Sequence, residues 1–90
     1  MQFELDDAKA KINLRKHGVS FDEAVTVFAD PLELTLNDPE HSEGEYCFLS
    51  LGMSCRNRLL VVSYTERYDE SVRIISAREA IKQECKYYEQ

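Results

Sequence analysis

The sequence has no long apolar run, no clustered glycines and no paired cysteine motif, and each absence excludes a class of protein. Its longest uninterrupted apolar stretch is residues 59–62, whereas a helix that crosses a bilayer needs about 20 apolar residues. The three glycines are isolated, which excludes a glycine-rich phosphate loop. The three cysteines contain no CxxC pair, so we expect reduced thiols rather than a disulfide frame or a zinc site.

Targeting and cofactor signals are also absent. Residues 1–7 are acidic and have no signal-peptide pattern, so we expect a cytoplasmic protein that does not contact a membrane. The two histidines, His17 and His41, lie far apart in the sequence, and neither has metal-ligand spacing. We therefore expect no metal and no other cofactor. Ninety residues suit a single domain over residues 1–90.

Charge is distributed in blocks along the chain. Eleven Lys and Arg against seventeen Asp and Glu give a net charge of −6, which argues against nonspecific binding of nucleic acid by the whole surface. Residues 8–17, however, are basic and contain no acid, and residues 56–78 contain five arginines. An acidic stretch without Lys or Arg, residues 22–45, separates them. The sequence therefore predicts local cationic surfaces on an acidic protein.

The N-terminal part predicts a short edge strand, residues 3–5, and two helices. Asp6 or Asp7 can cap a first helix that ends at Gly18, with Leu5, Ala8 and Ile12 on one face and Lys9, Asn13, Lys16 and His17 near another. Ser20 and Glu23 have the spacing of a capping box at the start of a second helix. Pro31 ends that helix.

The C-terminal part predicts four strands and a helix. Alternating or β-prone segments predict strands over residues 32–36, 46–51, 58–67 and 72–75, with an acidic loop between the first two. Their short connections favour antiparallel pairing. Ser76 and Glu79 form a second capping-box pattern at the start of the last helix. The expected fold is α+β: an antiparallel sheet of about four strands with two N-terminal helices and one C-terminal helix, in the order β-α-α-β-β-β-β-α.

The residue types present suit cleavage of RNA without a metal. RNA supplies its own 2′-hydroxyl nucleophile, so a protein needs to orient it, move protons and neutralise the phosphate. His17 can be a general acid or base, or a histidine that interacts with the end of its helix. Arg67 and Arg78 lie at turns and can bind an anion or form internal ion pairs. Arg73 is expected on the sheet face opposite Val72 and Ile74.

Five motifs in one order resemble the BrnT family of bacterial toxins. They are Lys-His-Gly-Val-Ser-Phe at 16–21, Phe-Ala-Asp-Pro at 28–31, His-Ser-Glu-Gly-Glu at 41–45, Tyr-Thr-Glu-Arg at 64–67 and Arg-Ile-Ile-Ser-Ala-Arg at 73–78. The resemblance implies a RelE-like fold and a ribonuclease toxin of a type II toxin–antitoxin module that cleaves RNA and inhibits translation. It implies a BrnA-like ribbon-helix-helix antitoxin as partner, with DNA contacted only through that antitoxin.

The resemblance also implies roles for particular residues. Arg67 and Arg78 are expected to clamp the scissile phosphate, with His17 or Lys16 as proton donor or acceptor. Further RNA contacts are expected from Arg73, Arg56, Arg58, Lys9 and Tyr64. From the residues alone, Tyr64 is more typical of a half-buried core position, and Arg56 and Arg58 of a solvated hairpin. The alternative function is a non-catalytic partner or corepressor module of a ribbon-helix-helix DNA-binding protein.

Overall fold

The computed structural model describes residues 2–37, 47–67 and 69–90, and its elements follow the expected order β-α-α-β-β-β-β-α. A short 3₁₀ turn, Val27–Ala29, extends the second helix. The bounds of the elements are β1 Gln2–Glu4, α1 Asp7–His17, α2 Phe21–Thr26, β2 Leu34–Asn37, β3 Cys47–Met53, β4 Leu59–Glu66, β5 Ser71–Glu79 and α3 Lys82–Glu89.

The strands form one sheet in the order β1-β5-β4-β3-β2. The last four strands of the chain are antiparallel neighbours, as expected from their short connections. The predicted N-terminal edge strand is confirmed as a fifth strand, and it pairs in parallel with β5. The first strand of the chain therefore lies beside the last.

Helices α1 and α2 cover one face of the sheet and enclose the core. The buried cluster combines residues of both helical segments with inward positions of β4 and β5: Val19, Phe21, Ala24, Val27, Leu60, Val62, Tyr64, Val72, Ile74 and Ala77. The β-bulge opposite Ser63 and Tyr64 shifts the alternation, so that Ile74 and Ala77 both point inward. Helix α3 lies over the opposite face and contains no buried residue.

Both predicted ends of α1 are confirmed. The Asp6 carboxylate accepts from Lys9 N at 3.0 Å, and Gly18 has φ +69° while its N–H donates to Leu14 O at 2.9 Å. The face that packs inward differs from the expected one. Asn13 is buried, whereas Ile12 is 60% exposed.

Asn13 is buried because it completes the edge of β5. Since β1 pairs with β5 only as far as Arg73, the outer edge at Ala77 has no strand partner. The Asn13 amide replaces one: Oδ1 accepts from Ala77 N at 3.0 Å, and Nδ2 donates to Ala77 O at 2.8 Å. Nδ2 also donates to Val19 O at 2.9 Å. An amide carries the donor and acceptor that a strand backbone would provide.

Only half of the first predicted capping box forms. Ser20 Oγ accepts from Glu23 N at 3.0 Å, which confirms the cap. The second half, in which the Glu23 side chain would accept from the Ser20 backbone N–H, does not form. The Glu23 carboxylate is instead buried and bonded to Ser54 and Arg58. A strong charged partner outcompetes a backbone N–H that water can satisfy.

The second predicted capping box, Ser76 with Glu79, is wrong. These residues belong to β5, where Ser76 and Glu79 face Ser63 and Leu60 of β4. Strand pairing continues to the end of the long β4, so α3 starts only at Lys82. Arg78 is consequently a strand residue and not a residue of a helix's first turn.

The predicted loop over residues 38–45, with His41, and the predicted positions of Tyr46 and Tyr68 lie outside the described residues. No helix in the described part of the chain combines the length and hydropathy needed to cross a membrane.

Candidate anion-binding site

Two arginines converge on one carboxylate at the β1 edge of the sheet. Arg67 donates from Nη1 to Glu4 Oε2 at 3.0 Å, and Arg73 donates from Nε to the same oxygen at 3.4 Å. The exposed fractions of the side chains are 35% for Arg67, 39% for Arg73 and 45% for Glu4. Two guanidinium groups therefore hold one anionic oxygen at a position that an external anion can reach. We call these three residues the edge site.

Strand alternation explains why the edge site faces away from α1 and α2. Val72 and Ile74 point into the core, so Arg73 between them points to the other face, as the sequence predicts. Glu4 is the register partner of Arg73 in the parallel pair of β1 and β5. Arg67 follows β4, and its N–H donates to Ser71 O at 2.9 Å at the start of β5.

The expected clamp of Arg67 with Arg78 on one phosphate is not formed. Arg67 is bonded to Ser71, and Arg78 lies seven residues further along β5, about 23 Å at the rise of a strand. Arg78 is turned to a different carboxylate: its Nη1 and Nη2 donate to Glu84 Oε1 and Oε2 at 2.8 and 2.9 Å. These hydrogen bonds raise the pKa of Arg78 and lower the pKa of the Glu84 carboxyl. The structure thus pairs Arg67 with Arg73 instead.

Arg58 is held inside the protein at the β3–β4 turn. Its Nε donates to Glu23 Oε2 at 2.9 Å, its Nη2 bonds to Glu23 Oε1 and to Gly18 O, and its Nη1 lies 3.3 Å from Glu79 Oε1. The Arg58 hydrogen bond is the main reason that the pKa of Glu23 lies below its ordinary value. Arg58 joins α1, α2 and the turn, so it is not the solvated hairpin residue that the sequence suggests. Its contact with RNA stays a prediction.

Lys16 and His17 are exposed in the last turn of α1, near this turn. Gly18, the next residue, accepts from Arg58. Arg56 is 72% exposed and lies 4.0 Å from Glu23. The contact of Arg58 with Gly18 joins the end of α1, which carries Lys16 and His17, to the β3–β4 turn, which carries Arg56. The eight residues of β4 separate this turn from the edge site by about 26 Å. We call Lys16, His17 and Arg56 the turn patch.

The remaining two predicted RNA contacts have different surroundings. Tyr64 is only 4% exposed and packs edge-on against Phe28 at 5.0 Å and stacked on Phe48 at 5.6 Å. Burial raises the pKa of its hydroxyl. A base cannot stack on a ring that the core encloses, so this geometry favours the core position for Tyr64, and its contact with RNA stays a prediction. Lys9 is exposed on α1, away from both arginine groups.

Glu4 is the site residue that the sequence does not reveal. Strand alternation places Phe3 towards the core and Glu4 on the other face of the sheet. The partner of Glu4, however, is set by the pairing of β1 with β5, which joins residues 69 positions apart in the chain. Among residues 2–37, 47–67 and 69–90, no three His, Cys, Asp or Glu side chains cluster as metal ligands.

The fold and the edge site define a small α+β domain in which Arg73 of a mixed sheet and the neighbouring Arg67 hold one carboxylate. Residues 5–84 match the family model described as "Ribonuclease toxin, BrnT, of type II toxin-antitoxin system". The chain is also similar to the crystal structure of the ribonuclease toxin BrnT of Brucella abortus. The TM-score is 0.66 at 19% identity, and the match covers 91% of this chain and 99% of that one. A comparison with curated proteins finds no match.

The family match spans nearly the whole chain, and the structural match shows the shared fold. This protein belongs to the BrnT family of ribonuclease toxins of type II toxin–antitoxin systems.

Proposed function

We propose that this protein is a metal-independent endoribonuclease that cleaves mRNA and thereby inhibits translation. The observation that supports this function best is the convergence of Arg67 and Arg73 on one oxygen of Glu4. A carboxylate oxygen and a phosphate oxygen are equivalent acceptors for guanidinium groups. A backbone phosphate of RNA can therefore take the place of the Glu4 carboxylate between the two arginines.

The edge site also supplies a proton acceptor. Glu4, once displaced by a phosphate, remains beside it and can accept the proton of the 2′-hydroxyl as the 2′ oxygen attacks phosphorus. Arg67 and Arg73 stabilise the additional negative charge on the phosphate oxygens. Water reaches this exposed position and can return a proton to the departing 5′ oxygen.

The turn patch is assigned to binding rather than to chemistry at the same phosphate. Because this patch lies about 26 Å from the edge site, we assign Lys16, His17 and Arg56 to the RNA backbone several nucleotides further along. Arg78, held by Glu84, does not contact RNA while α3 keeps its position. We further propose that a BrnA-like ribbon-helix-helix antitoxin neutralises the toxin and links it to DNA.

The alternative function, a non-catalytic corepressor module, has one observation in its favour. The four arginines Arg58, Arg67, Arg73 and Arg78 each form an ion pair with a carboxylate of the chain itself. If RNA does not displace Glu4, the protein would act only through its partner.

Cleavage of RNA in the presence of a chelator tests the proposal. Purified protein with excess EDTA should cut single-stranded RNA, and Arg67→Ala or Arg73→Ala should lower the rate about a hundredfold, because each removes a group that stabilises the transition state. Glu4→Gln should lower kcat more than it raises KM, since it removes a proton acceptor and keeps the shape. Lys86→Ala, which removes an exposed charge on α3, is the matched control.

The outcomes separate the two functions. Equal rates for wild type, Arg67→Ala and Arg73→Ala would exclude the edge site as the nuclease centre. No cleavage by the wild type, together with normal growth of cells that overproduce it without an antitoxin, would favour the corepressor module.

A further inference from the structure

Helix α1 presents an apolar stripe to solvent. Ala8 and Ile12 have the i, i+4 spacing that places residues on one side of a helix, and Leu5 lies just before the N-cap Asp6. The fold buries the other side through Asn13, so the stripe remains exposed: Ile12 is 60% and Leu5 36% exposed, and Ala8 is exposed as well. The sequence pattern that usually packs a helix onto its own core is here left without a partner in the described part of the chain.

Cations border this stripe on both sides. Lys9 and Lys16 lie at one border and Lys11 and Arg15 at the other, by their helical positions relative to Ile12. All four are exposed. The ion pairs of the described residues all involve arginines from Arg56 onwards, so these four cations have no carboxylate partner there. Their charges are available to an external partner, unlike those of the sheet arginines.

A protein partner fits this surface better than RNA does. The RNA backbone needs cations but gains nothing from an exposed Ile12 and Leu5 at the centre of the patch. An apolar centre with a charged border is the pattern of a helix that pairs with an amphipathic segment of opposite charge. Because α1 is basic on a chain of net charge −6, the complementary segment is acidic, and two copies of this acidic protein would repel.

We propose that α1 is the docking surface for an acidic amphipathic segment of a protein partner. Apolar side chains of the segment cover Leu5, Ala8 and Ile12, and its carboxylates pair with the bordering cations. The antitoxin of the proposed function is the natural source of such a segment. The inference rests on the proposed function only for that source, since the surface itself does not depend on nuclease activity.

Titration of the ¹⁵N-labelled protein with a synthetic peptide tests the proposal. The probe is an 18-residue helical peptide with Leu at helical spacing and Glu elsewhere, and its scrambled version is the control. Amide signals of α1 should shift with the first peptide and not with the second. A 2′-O-methyl RNA oligonucleotide, which cannot be cleaved, should shift signals of the edge site and the turn patch and leave those of Ala8 and Ile12 unchanged.

Matched variants of α1 make the test specific. Ile12→Glu should weaken peptide binding at least tenfold, since it places a carboxylate in the stripe. Leu14→Glu changes the charge of the same helix equally, at an exposed position on the opposite side, and should weaken binding less than twofold. Thermal unfolding of both variants checks that they fold, as expected for exposed sites.

Three results would overturn the proposal: no shift in α1 with the peptide, equal effects of the two variants, or binding of the RNA rather than the peptide at Ala8 and Ile12. None of them bears on whether the edge site cleaves RNA, which the chelator assay measures separately.

Discussion

At the scale of single residues, Asn13 shows how a polar side chain replaces a missing strand. Its amide makes three hydrogen bonds at 2.8 to 3.0 Å to Val19 and Ala77. They satisfy backbone groups that the short β1 leaves unpaired on β5, and buried backbone groups without partners are costly. Asn13 therefore attaches α1 to the sheet with hydrogen bonds rather than with apolar contacts.

Asn13→Ala should lower the free energy of unfolding by about 3 kcal/mol, because it leaves the N–H and C=O of Ala77 without partners. Urea denaturation measures the loss as a lower midpoint at constant slope. Leu14→Ala, at an exposed position of the same helix, should change the free energy of unfolding by less than about 0.5 kcal/mol. If Asn13→Ala proved as stable as Leu14→Ala, the edge-completing role would be refuted.

The sequence could not predict which face of α1 is buried. Leu5, Ala8 and Ile12 form the more apolar side, and periodicity selects that side for the core. What decides which face of α1 is buried is the unpaired edge of β5 at Ala77. That edge depends on how far β1 pairs along β5, which the pattern of α1 does not contain. By contrast, the position of Arg73 on the open face depends on strand alternation alone, and the sequence predicts it correctly.

At the scale of elements, α3 is attached mainly by polar contacts near its two ends. Glu84 pairs with Arg78, and the Tyr88 hydroxyl donates to Asp30 Oδ2. The Arg78 hydrogen bond lowers the pKa of Glu84. Burial raises the pKa of Asp30, but hydrogen bonds from Met53 N–H, Tyr88 and Leu32 N–H outweigh it, and the pKa lies below its ordinary value. With no buried residue in α3, these charges determine how firmly it is held.

Helix α3 should therefore detach in acid before the sheet unfolds. Carboxyls with lowered folded-state pKa values stabilise the protein fully above their ordinary values of 4.5 and 3.8. They lose that contribution as the pH falls through the lowered values. Carbon chemical shifts of Lys82–Glu89 should move towards random-coil values below about pH 4, while those of β4 stay. Simultaneous loss of both elements would contradict this order.

Helix ends were the most predictable feature of the elements, because Asp6, Gly18 and Ser20 act through local backbone contacts. The second capping box failed for a reason that local patterns do not contain. Ser76 and Glu79 suit a helix start, but the long β4 offers backbone partners to the same residues. Tertiary pairing overrides a local preference of this kind.

At the scale of the whole molecule, most of the positive charge on the sheet is neutralised internally. RNA binding should therefore involve few phosphates: one at the edge site and about one at the turn patch. For single strands the slope of log K against log salt is about −0.7 per phosphate, so we expect a slope of about −1.4. Fluorescence anisotropy with a 2′-O-methyl oligonucleotide measures it.

The double variant Arg67→Ala/Arg73→Ala should reduce that slope to about −0.7, since one phosphate contact is lost. Lys86→Ala should leave the slope unchanged. A slope steeper than about −3 in the wild type would show that RNA contacts many more phosphates than the edge site and the turn patch account for.

The pairing of β1 with β5 has a consequence for the cell that makes this protein. Glu4 and Arg73 are 69 residues apart in the chain, so the edge site cannot assemble on the ribosome until β5 has emerged. Under the proposed function, the nascent chain therefore cannot cleave the message that encodes it until late in its synthesis. Premature termination before β5 then yields a product without the edge site.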